Sequence, residues 1–258
     1  MQLTSTKDQL FFPQKIISLV PSQTELLHYL GLENEVIGIT KFCVHPEKWF
    51  RAKTRIGGTK TVNIGLIKKL QPDLIIANKE ENIKEQVEIL AKDFAVWVTN
   101  VNNLEEAFNM ISDIGELTNT VNKAQQLIVN IKEEFSKLPI AINPIRACYL
   151  IWQKPYMTVG NDTFIHNMMQ LCGLQNIFKD KIRYPEITLE EIKNGKCQLL
   201  ILSSEPYPFK NKHILEIQQH LPETKIVLAN GEMFSWYGSR VSLAAKYFNE
   251  NISKILLA

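Results

Sequence analysis

Long apolar runs, paired cysteines and blocks of like charge are all scarce in this sequence. No apolar stretch approaches the roughly 20 residues of a membrane-spanning helix. The four cysteines (Cys43, Cys148, Cys172, Cys197) are scattered and form no CxxC. That excludes a disulfide-stapled scaffold, and Cys148 and Cys197, in strand-like context, read as small core residues. There is no basic run and the net charge is +2, so nucleic acid is not the expected partner. The first residues, MQLTSTKDQLFFPQ, carry neither a basic nor an apolar signal region, so the chain as written is expected to be cytoplasmic. The glycine turn Arg55-Ile56-Gly57-Gly58-Thr59 has neither the P-loop form nor the dinucleotide fingerprint. What remains is ordinary: 258 residues, 45% hydrophobic and 22% charged, enough for one large or two small globular domains.

The stretch Leu117–Leu138 contains no Gly or Pro and is followed by Pro139. Val121, Ala124, Ile128, Ile131 and Phe135 recur at three- and four-residue steps, which predicts one helix of roughly 33 Å. On either side of it the chain repeats itself. VNIGLIKKLQPDLIIANKE (62–80) matches ITLEEIKNGKCQLLILSSE (187–205) without a gap. A weaker pair, residues 24–38 and 163–178, needs a three-residue insertion. Strands alternate with helices throughout, the signature of mostly parallel sheets. The prediction is an α/β protein of two Rossmann-like lobes, 15–115 and 139–258, joined by a rigid linking helix at 116–138. Residues 1–14 read as a loose arm.

Candidate ligand groups gather after strands. KIISLV is a buried strand by pattern, followed by Pro21 and by Ser22, the expected N-cap of a helix with Glu25 completing a capping box. In open α/β sheets ligands bind at that carboxyl edge. Asn63 is the expected cap of a short helix to Leu70. The loop Lys41–Trp49 holds Phe42, an apolar face, and Cys43 and His45, which could ligate a soft or borderline metal. His28, His166, His213 and His220 read as surface positions. In the second half, Trp152 and Tyr156 flank a Gly-punctuated loop. Gly231 and Gly238 bracket a further loop with Glu232, Phe234, Trp236 and Tyr237, and Arg240 follows. Aromatic residues with a carboxylate and an Arg at a strand's end suit a ligand pocket. A helix is expected from there to Lys254.

Taken together, IISLVPSQTELLHYLGL, EVIGITKFCVHP, NIGLIKKLQPDLIIA, PYMTVGNDTFIHNMMQLCGLQNIF and EMFSWYGSRVSLAAKYF resemble the class III substrate-binding proteins of ABC transporters, of the helical-backbone metal-receptor type, and within them the cobalamin (vitamin B12)-binding branch. The resemblance spans Lys15 to Ala258. It implies a ligand cleft between two lobes, lined by Pro21, Ser22, Phe42, His45, Trp152, Tyr156, Glu232, Phe234, Trp236 and Arg240. It implies a periplasmic or membrane-anchored location, a monomer, no intrinsic cofactor and no catalysis. The ligand would be a corrinoid, and the partner an ABC permease that docks on one Glu in each lobe. Glu190 stands at that position in the second lobe. Gly65, followed by Lys68 and Lys69, stands there in the first, with Glu80 and Glu81 nearby; Thr59 or Lys60 stands where a cleft tryptophan is usual. The alternatives are a binding protein for a ferric siderophore or haem, a cytosolic metal-chelate carrier without a permease, and an enzyme that uses Cys43 and His45 as a thiol or metal pair.

Overall fold

A computed structural model describes residues 2–8, 11–139 and 143–252. The chain divides into two compact units. The first comprises Met1–Val101, Glu105–Asn130 and Tyr237–Arg240; the second comprises Asn102–Leu104, Ile131–Trp236 and Val241–Ala258.

The first unit contains β1 (Gln2–Leu3), β2 (Ile16–Ser18), α1 (Pro21–Leu30), β3 (Val36–Ile39), α2 (Glu47–Ala52), β4 (Thr54–Arg55), α3 (Ile64–Leu70), β5 (Leu74–Asn78), α4 (Lys84–Ala91), β6 (Val96–Thr99) and nearly all of α5 (Leu104–Leu117). Its strands form one sheet in the order β1-β6-β5-β2-β3-β4, parallel at every pairing. β2 and β5 are buried along their whole length, as expected of strands covered on both faces. Residues 2–8 are not a loose arm. Gln2–Leu3 adds an edge strand beside Val96 and Trp97, and Asp8 accepts hydrogen bonds from the amides of Thr4 and Ser5 to close a short 3-10 turn.

The expected 22-residue helix is shorter than the periodicity suggested. α6 runs over Val121–Ser136, and Thr118–Thr120 separate it from α5. Thr118 turns its hydroxyl back to the carbonyl of Ile114 at 2.6 Å, and Asn119 takes a left-handed φ of 56°. Short polar side chains compete with the helix ladder in this way, and Asn tolerates that backbone. The buried stripe of α6 is Ala124, Leu127, Ile128 and Ile131, while Val121 is exposed. Gly115 is required here, because a Cβ on it would lie 2.6 Å from that of Ala124. The boundary between the units falls inside α6, after Asn130.

The second unit contains β7 (Ile145–Leu150), β8 (Tyr156–Met157), α7 (Phe164–Leu171), β9 (Leu174–Asn176), β10 (Glu186–Ile187), α8 (Leu189–Asn194), β11 (Leu199–Ser203), α9 (Asn211–Gln218), β12 (Lys225–Ala229), α10 (Glu232–Ser235) and α11 (Val241–Tyr247). Its main sheet has the order β12-β11-β7-β9, again parallel, and β8 pairs antiparallel with β10. One face of that sheet packs Cys148, Leu150, Leu200 and Leu202 against Ile192, Phe209 and Ile217. Cys148 and Cys197 are therefore core residues, with burial pushing the Cys197 thiol up to about 11. The last helix is not one continuous α-helix: a π-helical turn follows it at Phe248–Ile252, and residues 253 and 254 lie outside the described residues.

Candidate functional site

The carboxyl ends of the strands carry buried polar side chains in both units, among them Ser18, Asn78 and Thr99 in the first and Asn176 and Ser203 in the second. In the first unit β2 passes through Leu19 and Val20 straight into α1. Val20, not Ser22, is the N-cap, and no side chain caps this end. Pro21 at the first position explains the shift, since its fixed φ suits a first helical turn and it lacks the amide that would need a cap. Ser22 is buried inside the first turn, and its carbonyl oxygen would lie 2.3 Å from a Cβ placed on Gly238.

Two buried polar networks brace this edge. Asn78, at the end of β5, accepts the amides of Glu80 and Glu81 at 2.8 and 3.2 Å. Its own amide nitrogen donates to Thr99 at the end of β6, and Thr99 donates to the carbonyl of Ala77. Asn82 donates to the carbonyls of Leu19 and Thr59. The second network places Cys43 Sγ 3.0 Å from Thr24 Oγ1 and 3.2 Å from Thr40 Oγ1. Burial pushes the Cys43 thiol up, so it is held protonated. The expectation of a Cys43/His45 metal or thiol pair is corrected on this ground. Cys43 is a fully buried core thiol, and among the described residues no three His, Cys, Asp or Glu side chains are grouped to hold a metal.

Phe42 is different. Its ring is 51% exposed, and the Lys41 ammonium lies 5.2 Å from its centroid. His45 in the same loop is half-buried. Arg240 belongs to this unit and grips Glu25 with two hydrogen bonds, Nε to Oε2 at 2.9 Å and Nη2 to Oε1 at 2.6 Å. Tyr237 donates its hydroxyl to Glu81 Oε1 at 2.8 Å. Burial, then the neighbouring Glu81 carboxylate, drives the Tyr237 hydroxyl well above the usual phenol range.

In the second unit the loop after β7 presents Trp152, 40% exposed, with its ring edge-on to Tyr207 at 5.6 Å. Tyr156, on β8, is half-buried. Beyond β12 the expected loop is the single-turn helix α10. Glu232 is half-buried at its start. The expectation that Phe234 walls a pocket is corrected. Its ring is fully buried, 5.0 Å from Tyr149 and 4.7 Å from Phe248, so it packs the core behind the edge. Trp236 is also largely buried, and its indole N–H donates to Glu205 Oε1 at 3.0 Å, which also accepts from Ser235 at 2.7 Å. Gly231 is needed for this packing, since a Cβ there would come within 2.6 Å of Glu205 and Ser203. Glu190 stands exposed at the second position of α8, a helix capped reciprocally by Thr188 and Glu191. Gly65 holds the second position of α3, where a Cβ would meet nothing nearer than Asn63 Oδ1 at 3.6 Å.

Two histidines read as surface positions are buried. His166 accepts from the Asn176 side chain, and burial lowers its pKa; His213 accepts the amide of Lys210. Helical position alone gave no sign of this, because both rings point inward. His166 also lines a cavity of ≈ 560 Å³ beside Phe135, Gln170 and Lys179, where none of the predicted site residues lies. Sequence reasoning also missed Asn78, Asn82 and Thr99; the one available signal was an Asn closing the apolar strand LIIAN.

The chain resembles known proteins over nearly its full length. It is 22% identical over 258 residues to a vitamin B12-binding protein of Pectobacterium atrosepticum, covering 95% of this chain and 91% of that one. It is 29% identical over 192 residues to an uncharacterized ABC transporter substrate-binding lipoprotein of Bacillus subtilis, covering 70% of this chain and 60% of the other. Among solved structures, the periplasmic vitamin B12 binding protein of Vibrio cholerae superposes with a TM-score of 0.77 at 20% identity, covering 95% of this chain and 98% of that one. A possible iron-binding, periplasmic solute-binding protein of Staphylococcus epidermidis gives 0.78 at 22% identity, with coverages of 94% and 99%. These likenesses agree with the two α/β units built here on parallel sheets. The model of the periplasmic binding protein family matches residues 16–227, and the chain belongs to that family.

Proposed function

We propose that this chain is the ligand-binding component of an ABC-type importer and that its ligand is a corrinoid, cobalamin or a close relative. The observation that carries this reading is the exposure of one large aromatic ring at the carboxyl edge of each sheet, Phe42 in the first unit and Trp152 in the second. A flat conjugated macrocycle needs such faces, and open α/β sheets bind ligands at that edge. The vitamin B12-binding relatives support the choice of corrinoid. The further ligand groups proposed are Pro21, Ser22, His45 and Arg240 in the first unit and Tyr156, Glu232 and Trp236 in the second. The metal chelate is cargo, with no resident cofactor and no catalytic step. The protein works as a monomer outside the cytoplasmic membrane, in the periplasm or anchored to the membrane, and Glu190 is the docking contact for the permease.

The test is a thermal-unfolding titration with cyanocobalamin, cobinamide, haemin and a ferric siderophore. A ligand at 100 times its Kd adds about 2.7 kcal/mol to folded stability, readily visible as a raised midpoint. The expected result is a shift with a corrinoid that shrinks in Phe42→Ala and Trp152→Ala. A shift with haemin or the siderophore alone would replace the ligand and keep the role. No shift with any of the four would overturn the reading.

A further inference from the structure

Tyr207 lies in none of the motifs singled out from the sequence, yet it is the hub of the aromatic group around Trp152. Its ring is 5.6 Å from Trp152, 4.8 Å from Phe209 and 5.5 Å from His213. Its backbone N–H donates to the carbonyl of Ile151, next to Trp152, at 3.3 Å. Its hydroxyl sits in a chain whose direction follows from its far end. His213 Nδ1 accepts the Lys210 amide at 2.8 Å, which leaves the ring proton on Nε2. That nitrogen lies 3.3 Å from the Tyr207 hydroxyl and donates to it; the Tyr207 hydroxyl in turn donates a hydrogen bond to Gln153 Oε1 at 2.8 Å. Gln153 directly follows Trp152 and is itself buried. The residues on both sides of Trp152 are thus tied to Tyr207, one through the backbone and one through the hydroxyl.

We propose that Tyr207 is a positioning residue for ligand recognition. The hydroxyl chain from His213 through Tyr207 to Gln153 fixes the pitch of the Trp152 indole, and through it the affinity for a flat conjugated macrocycle. The inference rests on the ligand reading given above. Its physical basis is preorganisation: an exposed indole already held at the stacking angle loses less rotational freedom when a ring system settles on it. Phe209 and His213 brace the far side of Tyr207, so its own ring has little room to yield.

The test uses the full chain and a double-mutant cycle. Tyr207→Phe keeps the ring and removes the hydroxyl, leaving Gln153 Oε1 without its donor. Affinity for cyanocobalamin, measured by calorimetry, is expected to fall about five-fold in the Trp152 background, the worth of one hydrogen bond. In the Trp152→Ala background the same change should have no further effect, because Tyr207 acts through that ring. A second readout is fluorine NMR of the ligand-free protein labelled with 5-fluorotryptophan. Loss of one resonance in Trp152→Phe identifies the Trp152 signal, which Tyr207→Phe should shift or broaden. Equal weakening in both backgrounds, or unchanged affinity, would overturn the proposal, as would an unmoved Trp152 resonance. If the wild-type chain binds neither cyanocobalamin nor haemin, the ligand reading fails and the recognition half of the proposal falls with it. The fluorine spectrum then decides the positioning half by itself.

Discussion

The two units use one local plan and differ where that plan meets solvent. α3–β5 and α8–β11 correspond residue by residue. Asn63 and Thr188 both cap their helices by accepting the amide three residues on. Ile67 and Ile192 are both fully buried, and Gln71 and Lys196 both turn with a left-handed φ, of 49° and 50°. The strands then span Leu74–Asn78 and Leu199–Ser203. The sheets correspond as well: β6-β5-β2-β3 follows the same order as β12-β11-β7-β9, and the first unit adds β1 and β4 at its edges. The differences sit on the outside of this frame. Gly65 faces open space where Glu190 is exposed, and Glu205 holds Trp236 and Ser235 while the first unit's Glu81 holds Tyr237. Burial holds the frame constant, while the exposed helix starts and strand ends vary.

The sharpest way to break this equivalence is to cut the matching core residues. Ile67→Ala and Ile192→Ala should each cost about 2–5 kcal/mol, measured by urea unfolding. Costs differing by more than about 2 kcal/mol would show that the two sites relax unequally and that the likeness is one of backbone only. The caps come next. Asn63→Ala and Thr188→Ala should each cost about 1 kcal/mol, whereas Asn63→Asp and Thr188→Asp, which keep a capping oxygen, should cost much less.

The smallest expected effect separates the units by pH. The second unit buries two histidines, and the pKa of His166 is lowered by burial. As pH falls through about 6.5, the ordinary His value, the unfolded chain takes up a proton that folded His166 refuses. Stability is therefore lost from that point downward, and the loss is complete below the depressed folded value. His166→Gln should flatten the stability curve in this window, as read from denaturation midpoints between pH 7 and pH 5. An unchanged slope would mean that the ring titrates freely.

The frame was legible in the sequence because it rests on apolar period. Of the eight strands common to the two sheets, all but β9 show as apolar runs, β9 being the short, mostly polar Leu-Gln-Asn, and the gapless match of residues 62–80 to 187–205 marks the repeat. The start of α1 was misread because a Ser–Glu pair imitates a capping box, while the Pro before it sets the helix start. The break before α6 was missed because Thr and Asn in a helical pattern do not announce that they will fold back on the preceding turn. The site residues were harder still. Phe42 and Phe234 are the same residue type after a strand, yet one ring is half exposed and the other is fully buried. That difference is decided by tertiary neighbours, Tyr149 and Phe248 in the case of Phe234.

The short segment Tyr237–Arg240 belongs to the first unit although the chain has by then built nearly all of the second. Its Arg240 completes an ion pair with a residue 215 positions earlier. During synthesis, which runs from the N-terminus, Glu25 and Glu81 emerge from the ribosome long before the side chains that neutralise or cap them. The Glu25–Arg240 pair therefore forms only after Arg240 has been made. A nascent chain stalled before Tyr237 should be more open to proteolysis around Glu25 than the released protein.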